Sequence, residues 1–181
     1  MYFQLSEISN GGYEMKTIYL AGGCFWGVQK YFDQFDGVLG TEVGYANGEK
    51  ENPSYYDVCH SSGHAETVRI DYDESVISLT ELLKKYFLII DPLSYNRQGA
   101  DWGIQYRTGI YYTDAADLPE ISAYYNELEQ EEIRRSGEPF AVELLPLSNY
   151  YPAEEPHQKY LDKNPGGYCH IPKRLFAGNN F

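Results

Sequence analysis

The sequence predicts one α/β (α+β) domain, a sheet covered by helices. Three observations predict it. Apolar residues recur with a two-residue period in some stretches and a helical period in others, alternating in the order β-α-β-β-α-β-α-β. Hydrophobic side chains make up 43% of the chain, enough for a packed interior. At 181 residues, a second unit would have little core left to build. The order of strands within the sheet is not legible from these patterns.

Residues 1–14 are polar and punctuated by glycine, and read as a loose extension ahead of a domain spanning 15–181. Lys16 to Ala21 is short and apolar, a buried strand ended by Gly22-Gly23. Val28, Tyr31, Phe32 and Phe35 fall on one helical face, and Gly37 and Gly40 stop that helix. Val38 to Tyr45 follows as a strand, with Asn47-Gly48 as a turn. Val68, Ile70 and Tyr72 alternate along a strand over Thr67 to Tyr72. Ser78 and Glu81 match a capping box for a helix carrying Leu79, Leu82, Leu83, Tyr86 and Phe87, which Asp91-Pro92 ends. Tyr106, Thr108, Ile110 and Tyr112 alternate as another strand. A charged helix over Leu118 to Arg135 ends at Gly137, and Val142 and Leu144 suggest a short final strand. After Pro146 the proline- and glycine-rich chain reads as a long irregular loop.

The formal net charge of -13 repels phosphate backbones, so nucleic acid is not an expected partner. No apolar run approaches the roughly 20 residues needed to cross a membrane. No basic region followed by an apolar stretch opens the chain, so a signal peptide is not expected and a cytoplasmic location is. Cys24, Cys59 and Cys169 are too few and too scattered for a disulfide scaffold. Cys59, His60 and His64 lie close together, but no C-x-x-C pair accompanies them, and neither a metal nor another cofactor is expected.

The strongest local feature is Gly23-Cys24-Phe25-Trp26-Gly27, where a strand hands over to a helix. The unpaired N–H groups of a helix start favour a thiolate, the reactive form of cysteine. The flanking glycines permit a sharp turn and an accessible sulfur. A buried, inert cysteine between two core aromatics fits the same residues, and the residues alone leave both readings open.

Those five residues, GCFWG, resemble the signature of the A-type peptide methionine sulfoxide reductases. Further motifs follow in order. Asn52-Pro53-Ser54-Tyr55 with Val58-Cys59 is similar to NPxYxxVC, and Gly63-His64-Ala65-Glu66 to GHAE. Asp101 to Arg107 is similar to DxGxQYR, and Asn164 to Cys169 to the C-terminal NPGGYC. The resemblance runs from about Met15 to Ile171. It implies a two-layer ferredoxin-like sandwich with a mixed sheet. It also implies an enzyme that reduces methionine (S)-sulfoxide, free or in proteins.

Residue roles follow from the resemblance. Cys24 attacks the sulfoxide sulfur and becomes a sulfenic acid. Glu66 is the general acid, which requires a raised pKa, most simply through desolvation against aromatic rings. Tyr55 and Tyr106 hydrogen-bond the sulfoxide oxygen, and Asp101 orders the site. Phe25 and Trp26 form an apolar pocket for the substrate methyl. Cys169 resolves the sulfenic acid as a disulfide, which a thioredoxin-like reductant reopens. Cys59 is structural, and the protein is expected to be a monomer. The chain departs from the pattern in three places: one residue fewer between Cys59 and Glu66, no cysteine after Cys169, and Pro156 where an aromatic is usual. The alternative reading is another cysteine-dependent thiol enzyme, such as a peroxidase.

Overall fold

The structure, a computed structural model, describes residues 14–177. The chain runs β1 (Met15–Gly22), α1 (Phe25–Phe32), β2 (Val38–Ala46), α2 (Tyr55–Cys59), β3 (Ala65–Asp73), α3 (Leu79–Ile89), β4 (Arg97–Gln98) and β5 (Asp101–Trp102). It continues with β6 (Thr108–Tyr112), α4 (Leu118–Ser136), β7 (Glu143–Pro146), β8 (Tyr150–Pro152) and α5 (Tyr160–Lys163). Six strands form one sheet in the order β7-β6-β1-β3-β2-β8, and β4 and β5 pair separately. The β6–β7 pair is parallel and the other pairs of the large sheet are antiparallel, so the sheet is mixed as expected. Taken in chain order, β1, β2, β3 and β6 stand 4-1-3-2 across it, with α1 and α3 as the crossovers. That is the β-α-β-β-α-β arrangement of ferredoxin-like folds.

Alternation sorts the sheet's two faces. Ile18 and Leu20 of β1 lie opposite Ile70 and Val68 of β3. Their side chains join Phe25, Val28 and Phe32 of α1 and Leu79, Leu82, Leu83 and Tyr86 of α3 in one buried cluster. Each such aliphatic or aromatic side chain contributes about 1.5–3 kcal/mol of transfer free energy. The other face carries a smaller cluster of Ala21, Ala46, Ala65 and Tyr111 under Tyr19 and Tyr150. The capping box of α3 is present, with Glu81 N–H donating to Ser78 Oγ at 3.2 Å and Ser78 N–H to Glu81 Oε2 at 2.8 Å. Gly137 ends α4 at φ 83°, in the left-handed region.

Several expectations are corrected. Phe35 lies beyond the end of α1, and Gly40 falls inside β2 at a shift of register. Tyr106 is not on a strand. It closes a 3-10 turn, Ile104–Tyr106, whose Tyr106 N–H bonds the Gly103 carbonyl at 3.0 Å, and the strand begins only at Thr108. The stretch after Pro146 is irregular for most of its length, yet β8 adds to the sheet beside β2, pairing Tyr45 with Tyr151. The extension expected over 1–14 lies, except for Glu14, outside the described residues. Among the described residues, no helix is long and apolar enough to cross a membrane.

Candidate active site

Cys24 stands at the junction of β1 and α1. Gly23 just before it has φ +85°, and a Cβ there would lie 2.7 Å from the Gln98 Cβ, so the turn requires glycine twice over. Cys24 is the N-cap of α1, its side chain making no capping hydrogen bond, and the Trp26 backbone amide favours its charged form. The expectation of an exposed, readily ionised thiol is corrected: the residue is only 7% exposed. Burial pushes its pKa well above the ordinary thiol value, the charge of Glu66 pushes it further, and the Trp26 amide offsets only part of this. Desolvation therefore outweighs the helix start.

Glu66 arrives from β3, opposite Tyr45 of β2. It is 2% exposed, and its Oε2 accepts the Phe25 N–H at 3.0 Å, on the residue directly after Cys24. Burial raises its pKa from 4.5 to about 8; the Phe25 amide pulls down and the charge of Asp101 pushes up. A carboxyl in this position holds its proton more tightly than an ordinary glutamate. Once protonated, it no longer repels a Cys24 thiolate.

Tyr55 and Tyr106 reach the same place from different elements. Tyr55 opens α2, whose Ser54–Asp57 capping box is complete. Its backbone N–H donates to Glu154 Oε1 at 2.8 Å. Its ring centroid lies 4.6 Å from that of His157. Burial, then the charge of Glu66, raises both phenols' pKa values, which leaves them neutral donors. Tyr55 and Tyr106 each feel Cys24, and Tyr106 also feels Asp101. The neighbouring Tyr56 is 69% exposed and stacks on His60, so Tyr55 is the one turned inward. Cys59 comes within hydrogen-bonding reach of the Tyr55 hydroxyl. Asp101, on β5, accepts the Tyr168 hydroxyl at 3.0 Å.

The two aromatics after Cys24 differ. Phe25 is fully buried, with ring centroids of Tyr45 and His157 at 5.8 and 5.5 Å. Trp26 is half-buried. Tyr160 stacks on it at 3.8 Å, and its indole N–H donates to His157 Nδ1 at 3.1 Å. Cys169 packs its sulfur over the first turn of α1, where a Cβ on Gly27 would lie 2.8 Å from it. All three cysteines are free.

The structure thus brings Cys24, Glu66, Tyr55, Tyr106, Asp101 and Cys169 into one neighbourhood despite the shortened Cys59–Glu66 spacing. Sequence reasoning missed Glu154, His157 and Tyr160, which brace Tyr55 and Trp26. The only signal was Glu154-Glu155-Pro156-His157, where the proline starts a 3-10 turn, Glu155–His157. Among the described residues, no group of three or more His, Cys, Asp or Glu could hold a metal ion.

A family model described as peptide methionine sulfoxide reductase matches residues 16–179. The chain is 56% identical over 162 residues to the peptide methionine sulfoxide reductase MsrA of Lachnoclostridium phytofermentans, covering 89% of this chain and 95% of that protein. Among solved structures, it is similar to methionine sulfoxide reductase A of Corynebacterium diphtheriae, with a TM-score of 0.80 and 34% identity, covering 87% of this chain and 83% of that one. It is also similar to Mxr1 from Saccharomyces cerevisiae in complex with Trx2, with a TM-score of 0.55 and 26% identity over 86% of this chain and 92% of that one.

Proposed function

The chain belongs to the peptide methionine sulfoxide reductase family and reduces methionine (S)-sulfoxide to methionine, and we propose that Cys24 is the sulfur that takes the oxygen. One observation carries this reading. The buried, proton-holding carboxyl of Glu66 is tied to the backbone amide next to Cys24. An oxygen leaving a sulfoxide needs a proton, and this is the group placed to give it.

In the proposed step, the Cys24 sulfur attacks the sulfoxide sulfur as Glu66 protonates the oxygen. The substrate S–O bond and the transient sulfur–sulfur bond then break as an S–O bond to Cys24 forms, which leaves a sulfenic acid on Cys24 and free methionine, and the proton of the Cys24 thiol restores Glu66. No net proton is consumed. The neutral hydroxyls of Tyr55 and Tyr106 donate to the oxygen while charge builds on it. The charge of Asp101 raises the proton affinity of Glu66. Trp26 offers the apolar wall for the substrate methyl, and the buried Phe25 packs on the His157 ring that stacks on Trp26. Cys169 then displaces the hydroxyl from Cys24 and forms a disulfide. The Trx2 complex of Mxr1 supports a thioredoxin-like reductant for that disulfide. Residues 15–181 act as one catalytic domain, monomeric and cytoplasmic. A peroxidase would need neither an acid nor a methyl pocket, and the placement of Glu66 on the Phe25 amide beside Cys24 favours the reductase. The test is direct: Cys24→Ser abolishes reduction of a methionine sulfoxide peptide, and Glu66→Gln slows it by about 10²–10⁴-fold, the usual contribution of a general acid. Undiminished activity in Cys24→Ser would end the reading.

A further inference from the structure

We propose that Tyr168 and His170 are positioning residues that hold Cys169 beside Cys24 from both sides, and that this two-point clamp sets the rate of disulfide formation. The inference rests on the reading of Cys169 as the resolving thiol.

The tail reaches the site through Asn164-Pro165-Gly166-Gly167, and Gly166 has φ +85° with nothing within 4 Å of a Cβ built on it. Such a segment leaves the chain free to sample many positions unless something fixes its end. Two hydrogen bonds do so, one on each side of Cys169. The Tyr168 hydroxyl donates to Asp101 Oδ2 at 3.0 Å, and the His170 ring binds the Gly22 carbonyl through Nε2 at 3.0 Å. The anchors belong to separate elements, β5 and the end of β1. Both border the reacting sulfur: Gly22 is two residues before Cys24, and Cys24 feels the charge of Asp101.

A carbonyl oxygen only accepts, so His170 carries its hydrogen on Nε2. Its Nδ1 is then a bare acceptor, buried with no hydrogen-bond partner among the described residues. An unpartnered buried nitrogen is costly. The tail keeps that cost and with it the bond to Gly22. Between the two anchors, the Cys169 sulfur packs so closely over the first turn of α1 that any side chain at Gly27 would collide with it. Three attachments therefore hold one sulfur at the helix start that carries the other.

The step they serve is balanced without an outside reagent. The Cys24 S–O bond of the sulfenic acid breaks as a Cys24–Cys169 S–S bond forms. The thiol proton of Cys169 leaves with the hydroxyl as water. The Cys169 sulfur is oxidised and the Cys24 sulfur is reduced. Neither Tyr168 nor His170 is needed for the preceding transfer of oxygen to Cys24.

The experiment mixes each protein with one equivalent of a methionine sulfoxide peptide, without reductant. It follows methionine release and the Cys24–Cys169 disulfide separately by rapid quench and peptide mapping. In Tyr168→Phe and His170→Ala, methionine release keeps its wild-type rate, while disulfide formation slows by about tenfold, equivalent to about 1.4 kcal/mol, near the upper net worth of one hydrogen bond. His170→Gln, whose amide N–H replaces the Nε2 donor, recovers most of the disulfide rate. Disulfide formation at the wild-type rate in both variants overturns the clamp while leaving Cys169 as the resolving thiol. Absence of the disulfide in the wild-type protein overturns both.

Discussion

Cys24, Glu66 and Asp101 could all bear negative charge, and the site's behaviour follows from how few of those charges it tolerates. Burial raises the proton affinity of Cys24 and of Glu66, the charge of Glu66 adds to the first, and the charge of Asp101 adds to both. At neutral pH both hold protons, which is the state the proposed transfer uses. The rate constant kcat/KM should therefore fall as pH rises through about 8, where Glu66 ionises, and a pH–rate profile with a peptide substrate checks this. In Asp101→Asn, the removed charge lets Glu66 ionise more easily, so the falling limb should move to lower pH. A limb that stays in place would deny Asp101 that influence. The same shift acts on stability. Between 4.5 and about 8 the folded protein binds more protons at Glu66 than the unfolded chain does, so stability declines with rising pH across that window and then levels off. Melting temperatures of the wild type and Glu66→Gln, compared from pH 5 to 9, should show that slope only in the wild type.

Among the elements, α3 supports the site without touching its chemistry. The Tyr86 hydroxyl donates to the Ala21 carbonyl at 2.7 Å, at the end of the strand that delivers Cys24. Tyr86→Phe leaves a buried carbonyl with one partner fewer and should cost about 1–3 kcal/mol, measured by urea unfolding. The rest of α3 was legible in the sequence: Ser78 and Glu81 announce its start, and its apolar stripe points at the core. The strand β1 was legible for the same kind of reason, since its residues alternate between two buried faces. What was not legible is short or held from outside. The five residues of α2 show too little period to read, and β8 is three residues that become a strand only because β2 has a free edge. Tyr106 fits the alternation of the strand after it, but the 3-10 bond to Gly103 takes it out of that strand. In the site, the motifs named the right neighbours. They could not reveal the burial of Cys24, because the tail that packs Cys169 against Gly27 and His170 against Gly23, on either side of it, lies about 145 residues downstream, where the sequence left a loop.

Across the whole molecule, the site is closed by the chain's own ends of travel. The end of β1 and the adjacent strand β3 supply Cys24 and Glu66, and the tail returns past β8 to place His157 and Cys169 against α1 and Glu154 against α2. The formal net charge of -13 acts on everything that approaches. A methionine sulfoxide peptide flanked by lysines should therefore show a higher kcat/KM than one flanked by glutamates, and the gap should narrow as salt is raised. Equal values at low salt would remove the field from the account. The central claim, that Cys24 receives the oxygen, is tested most directly with the Cys169→Ser protein and one equivalent of methionine sulfoxide. The account predicts one methionine released per protein and a sulfenic acid trapped on Cys24 by a carbon nucleophile and located by mass spectrometry. Methionine released with Cys24 still a free thiol would contradict it.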